Sequence, residues 1–187
     1  MIDLSLEAFN EFRSTFKEVS FDKENKEYMT ALDIEAINFD NYVKELCHSF
    51  HWKASFDSVD SLWSVDGDDT LYLIEFKNGG LLNPKGEIQG KTFSDIRHKL
   101  NESVLVLTDS LKVFPDCFRT QSVFILVYND DKNKSLDGIQ SHLARRAGKP
   151  IIRFGMDRFC GSLFSDVRTL TVAEFERFVN GKIDISE

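Results

Sequence analysis

The stretch Asp60-Ser-Leu-Trp-Ser-Val-Asp-Gly-Asp-Asp-Thr-Leu-Tyr-Leu-Ile-Glu-Phe-Lys77 decides the fold of this 187-residue chain. Leu62, Trp63 and Val65 form one run rich in β-formers, and Thr70 to Phe76 form another. Between them, Asp66-Gly67-Asp68-Asp69 is a turn signal of the Asp-Gly kind, so the segment reads as a β-hairpin. Side chains alternate across a strand, which puts Glu75 and Lys77 on one face with Leu71 and Leu73, and Thr70, Tyr72, Ile74 and Phe76 on the other.

The partner carboxylate follows from register. If Asp66 pairs with Asp69, Asp60 stands opposite Glu75. If Asp66-Gly67 are the central turn residues, Asp60 moves one pair along but keeps its face. Asp57 falls on the opposite face by the same parity, so Asp60 is the partner. Two carboxylates and an ammonium on a rigid sheet outline a metal-dependent hydrolytic site: Asp60 and Glu75 as ligands of a hard cation, the Phe76 carbonyl as a backbone ligand, and Lys77 at the attacking water or the transition-state charge. The competing reading is a solvated strand face, on which such charges are common.

Asp60, a turn, and Tyr72-Leu-Ile-Glu-Phe-Lys-Asn-Gly79 resemble the signature of the PD-(D/E)xK nuclease superfamily, with Asp60, Glu75 and Lys77 at the three named positions and Val59 in place of the proline. The resemblance implies a restriction-endonuclease-like core: a helix, a three-stranded antiparallel meander, a second helix and a further strand. Phe39 to Phe50 reads as the leading helix, with Tyr42, Val43, Leu46 and Cys47 at helical spacing. The second helix is expected from about Ser94 to Thr108, and Ser122 to Tyr128 reads as a buried strand. The first meander strand is expected near Trp52 to Phe56. By the same resemblance Glu45 on the leading helix joins the metal shell, and Lys99 or Arg97 touches the phosphate. The implied cofactor is Mg²⁺ or Mn²⁺.

Composition frames the rest. With 42% hydrophobic residues and no internal repeat, the chain is expected to form a single α/β domain, a small mixed sheet flanked by helices. Residues 1–37 form an N-terminal helical extension, 38–155 the nuclease-like core and 156–187 a helical closure. Met1 to Phe16 reads as an amphipathic surface helix, unlike a signal peptide, and no stretch is long enough to span a membrane, so a cytoplasmic protein is expected. The polar segment from Ser20 to Ile37 reads as a variable loop or short connecting helix. Cys47, Cys117 and Cys160 are odd in number and widely spaced, as small core residues are. Cys47, His48 and His51 suggest zinc, but no second cluster completes four ligands.

The net charge of −8 sits awkwardly with nucleic-acid binding, which Lys and Arg contacts to phosphate dominate. The basic residues do gather: Lys134, Arg145, Arg146, Lys149, Arg153 and Arg158 face only Asp137 and Asp157 in that stretch. A helix from about Leu136 to Ala147 carries Arg145 and Arg146. They read equally as a phosphate-tracking edge, with Lys149, or as cations complementing the helix dipole before Gly148. Lys149 to Gly155 reads as a short strand. Thr171 to Val179 reads as a closing helix with Thr171 and Glu174 as a capping box and Phe175 and Phe178 inward. Phe154, Phe159 and Phe164 seal the far edge of the core.

The leading function is metal-dependent hydrolysis of phosphodiester bonds in nucleic acid, DNA ahead of RNA. The rival is an inactive nuclease-like scaffold that binds a protein partner, for example in toxin neutralisation or phage defence, which the acidic charge favours. A third possibility is an unrelated α/β interaction domain.

Overall fold

The computed structural model describes residues 6–53, 55–134 and 151–184. The hairpin forms as β5 (Ser61–Val65) and β6 (Asp68–Lys77), paired antiparallel. Val65 opposes Asp68 across the turn, where Gly67 takes φ 78°, a conformation open to glycine. A register shift between Trp63 and Val65 then sets Trp63 against Tyr72, Leu62 against Leu73 and Ser61 against Ile74. Both registers considered from the sequence are therefore present, one at the turn and one along the body. The paired body ends with Ser61 against Ile74, and Asp60 and Glu75 are the next residues along the two chains.

Around this hairpin lies a six-stranded mixed sheet in the order β1 (Arg13–Thr15), β4 (Glu35–Asn38), β5, β6, β7 (Ser122–Tyr128) and β8 (Asp166–Thr171). Pairings from β1 to β6 are antiparallel, and those of β6 with β7 and β7 with β8 are parallel. A separate two-stranded sheet joins β2 (Phe21–Asp22) to β3 (Glu27–Tyr28). A parallel neighbour requires a crossover, and α3 (Gly90–Leu111) supplies it between β6 and β7. Its row Ile96, Leu100, Ser103 and Leu107 recurs every three or four residues and is buried, with Val104 beside it.

Alternation along the strands divides the core. Leu62, Leu71, Leu73, Phe124 and Leu126 face α3 and α2 (Phe39–Ser49), which contributes Phe39, Val43 and Cys47. Trp63, Tyr72, Ile74, Phe76 and Val127 face the other way, onto Phe16 of α1 (Phe16–Val19) and Phe175 and Val179 of α5 (Val172–Ile183). A short α4 (Phe118–Gln121) leads into β7. The capping box of Thr171 and Glu174 is present, Phe175 is fully buried and Phe178 partly so. Phe154, Phe159 and Phe164 are buried as expected, and so are Cys47 and Cys117, while Cys160 is exposed.

Several expectations are corrected. No strand forms among the described residues of 52–56: His51 takes φ 54°, the Trp52 N–H returns to the Cys47 carbonyl, and Phe50, Trp52 and Phe56 pack ring on ring. The strand that pairs with β5 is β4, which lies before α2, within the segment read as a loop. The N-terminal helix is only a 3-10 turn, Leu6–Phe12, because Arg13–Thr15 leaves it to pair with β4. The strand expected at 149–155 is absent from its described part. Phe154 and Gly155 both take positive φ there, and the Arg153 N–H is clipped to Thr169 Oγ1 at 2.8 Å. The C-terminal closure includes the unanticipated β8. The helix expected near 136–147, with Arg145, Arg146 and Lys149, lies outside the described residues.

Candidate active site

Asp60 is the residue before β5, and four contacts fix it. Its backbone carbonyl accepts the N–H of Phe39 at 3.1 Å, the first residue of α2. The Val59 N–H donates to Ser103 Oγ on α3 at 2.9 Å, and the Asp57 N–H donates to Glu102 Oε2 at 2.5 Å. The carboxylate itself accepts the Phe76 N–H at Oδ2, 2.7 Å. A strand residue's N–H and C=O project to the same edge, so the Phe76 carbonyl also projects to the β5 side of β6 rather than toward β7. Lys77 behaves in the complementary way, its carbonyl accepting the Asn129 N–H at the end of β7.

Glu75 lies in the middle of the sheet with its side chain 1% exposed. An unpaired carboxylate there costs several kcal/mol, so its partners are part of the fold. Lys99 Nζ, one helical turn ahead of Ser103 on α3, lies 2.7 Å from Glu75 Oε1 and 3.0 Å from Oε2. The same nitrogen is 3.3 Å from Asp60 Oδ1. Lys77 Nζ is 2.8 Å from Glu75 Oε1. Asp60, Glu75, Lys77 and Lys99 thus form one cluster of two carboxylates and two ammonium groups, open to solvent through Asp60 (23% exposed), Lys99 (22%) and Lys77 (26%).

The electrostatics follow from this crowding. Burial and the neighbouring Glu75 charge push the Asp60 carboxyl up to about 7, against the opposing pull of Lys99, the Phe76 N–H and Lys77. For Lys99, burial works against the charge, but Glu75 and Asp60 outweigh it and raise the ammonium above its ordinary value. Lys99 stays charged at any working pH. The Asp60 carboxyl changes protonation near neutrality.

The predicted site residues separate clearly. Asp60, Glu75, Lys77 and Lys99 come together, with the Phe76 backbone beside them. Glu45 does not join: the inward row of α2 is Phe39, Val43 and Cys47, and Glu45 lies off it, 66% exposed with His48 3.9 Å away. Arg97 is exposed on α3 and makes no contact with the cluster, whereas Lys99 does. Ser103 is a positioning residue that sequence reasoning missed. Its signal was a hydroxyl in an otherwise apolar helical row, which in a buried position needs a partner. Asn78, next to Lys77, was also missed. It donates to Asp22 and Glu27 and accepts from Asn129 and Lys132, tying the β2–β3 hairpin and the end of β7 to the site end of β6.

Among the described residues no helix is long and apolar enough to cross a membrane. No family model, no curated protein and no solved structure matches the chain.

Proposed function

We propose that this protein is a divalent-metal-dependent nuclease of the PD-(D/E)xK kind, acting in the cytoplasm, with DNA favoured over RNA. The observation that carries the reading is the convergence of Asp60 and Glu75 on a single cationic centre, with the Lys77 ammonium alongside. The order of elements supports it: an antiparallel β4–β5–β6 set followed by α3 and the further strand β7 is what the resemblance implies, although α2 falls between the first two strands rather than ahead of them.

The donor set fits Mg²⁺ or Mn²⁺. Asp60 Oδ1 and the Glu75 carboxylate already face one positive charge, and the Phe76 carbonyl projects to the same edge. Mg²⁺ keeps several waters and needs only one or two carboxylates. No group of three or more His, Cys, Asp and Glu side chains converges among the described residues, so the third protein donor in this scheme is the Phe76 carbonyl rather than Glu45. A bound cation there supplies Lewis-acid polarisation of a phosphoryl oxygen and lowers the pKa of a coordinated water.

The chain's own residues do the rest. The Phe76 N–H fixes the orientation of Asp60, and Ser103 and Glu102 fix the loop that carries it. Lys77, partly open to solvent, can turn from Glu75 to hold the attacking water or the negative charge that develops on the phosphoryl oxygens. Hydrolysis places the water's hydroxyl on phosphorus, breaks the bond to the leaving sugar oxygen and delivers the water's other proton to that oxygen. Arg145, Arg146, Lys149, Lys99 and Arg97 are the candidates for contacting the nucleic-acid backbone.

An inactive scaffold that binds a protein partner is the second reading. It draws on the net charge of −8 and on the complete pairing of Glu75 by two lysines, which suits a structural ion cluster. Cleavage of single- and double-stranded DNA and RNA with Mn²⁺, wild type beside Lys77→Ala, separates the two. The nuclease reading expects cleavage by the wild type, lost in the variant with the fold retained. No cleavage of any substrate by the wild type favours the scaffold.

A further inference from the structure

Lys99 sits between the two carboxylates that the proposed function assigns to a metal ion. Its nitrogen touches both oxygens of Glu75 and one of Asp60 within 3.3 Å, whereas Lys77 touches one Glu75 oxygen alone. A Mg²⁺ ion binds oxygen ligands at about 2.0–2.1 Å. Shared by these same carboxylates, it cannot coexist with an ammonium already in contact with three of their oxygens, on grounds of both space and like charge.

We infer that Lys99 is the resident counter-ion of the candidate metal site, competing with the divalent cation for Asp60 and Glu75 and leaving them when metal binds. The inference rests on the reading of Asp60 and Glu75 as cation ligands. Without metal, the Lys99 ammonium offsets the repulsion between two carboxylates brought together on the sheet, so the fold does not depend on metal. With metal, the partly exposed Lys99 side chain has a way out into water from the end of its long stem. Every divalent ion that binds must break the Lys99 contacts, so the affinity of the site is held below what its two carboxylates alone would give. A simple structural salt bridge makes a different prediction: removing Lys99 then weakens the fold and confers no gain in metal affinity.

Mn²⁺ binding to the full chain, measured by titration calorimetry, tests this with Lys99→Met, Lys99→Arg, Lys77→Met and Asp60→Asn beside the wild type. Lys99→Met is expected to bind Mn²⁺ about tenfold tighter than the wild type, within the ordinary range of coupling between two sites. Lys99→Arg keeps the competing charge and shows no gain, Lys77→Met shows a smaller gain than Lys99→Met, and Asp60→Asn loses binding. If Lys99→Met does not fold, the wild type carries the test. With ¹⁵N-labelled lysines, the ammonium signal missing from Lys99→Arg should shift and exchange faster with water as Mg²⁺ saturates the site. Wild-type binding that needs Asp60 but does not tighten in Lys99→Met, or leaves the Lys99 signal unmoved, overturns this inference and leaves the nuclease reading standing. Absence of Asp60-dependent binding in every protein overturns both.

Discussion

Replacing Glu75 by glutamine removes one charge from the centre of the sheet while keeping the side chain's shape. Glu75 is 1% exposed and accepts from two ammonium groups, Lys99 at 2.7 and 3.0 Å and Lys77 at 2.8 Å. Hydrogen bonds to charged groups contribute about 1.5–3 kcal/mol each, and breaking a buried pair costs about 3–5 kcal/mol. Three effects reduce the loss here. The glutamine oxygen still accepts one bond, and both ammonium groups are partly exposed and regain some hydration. Asp60 also loses a repelling neighbour. The expected net destabilisation is therefore about 3 kcal/mol, at the lower end of the range for a broken buried pair. Lys77→Met should cost only about 1 kcal/mol, since Glu75 keeps both of its Lys99 contacts. Urea unfolding at pH 7 in the presence of a chelator, followed by the fluorescence of buried Trp63, measures both. Equal slopes with shifted midpoints are required for the comparison. Glu75→Gln costing no more than Lys77→Met refutes the view that Glu75 anchors the cluster.

Asp60 makes stability depend on pH. Its carboxyl is raised from 3.8 to about 7, so between those values the folded chain holds a proton that the unfolded chain has released. The stability it contributes is full below pH 3.8 and is lost as pH rises through about 7, so unfolding of metal-free Asp60→Asn should show a flatter pH profile over that window than the wild type. An identical slope in the two proteins contradicts the assignment. Because metal binding requires the proton to leave, the Mn²⁺-induced rise in melting temperature should be larger at pH 8 than at pH 6. Ser103→Ala leaves the Val59 N–H unpaired inside the protein and should cost about 1–2 kcal/mol while weakening Mn²⁺ binding, although Ser103 touches no cluster member. Unchanged metal affinity in that variant shows that the loop does not position Asp60. Thr171→Ala removes the capping box of α5 and should cost about 1 kcal/mol by thermal unfolding, with metal binding unchanged.

The hairpin, the shared face of Asp60, Glu75 and Lys77, and the positions of α2, α3 and β7 were legible because each is a long or strongly periodic run. β7 is a continuous apolar stretch, and α3 carries a helical row over most of its length. The elements missed are those whose identity depends on partners. Arg13–Thr15 and Glu35–Asn38 are three and four residues long and become strands by pairing with each other and with β5. The strand expected near Trp52 to Phe56 rests on the order of elements that the resemblance implies, with little signal in the residues themselves, and the rings of Phe50, Trp52 and Phe56 pack on each other at the end of α2. Glu45 could have been set aside from sequence, since it falls off the row that Val43 and Cys47 share on that helix. The choice between Lys99 and Arg97 was harder, because it rests on the phase of α3 relative to a sheet that sequence does not orient. The bridging position of Lys99 between two carboxylates is a tertiary fact with no local signal.

The central claim is that Asp60 and Glu75 hold one divalent cation, and crystals of the full chain soaked in Mn²⁺ test it most directly. The account predicts a single anomalous peak bound by Asp60 Oδ1, a Glu75 oxygen and the Phe76 carbonyl, with the Lys99 ammonium withdrawn. A saturated crystal with no peak there, and Lys99 still bridging the two carboxylates, contradicts it.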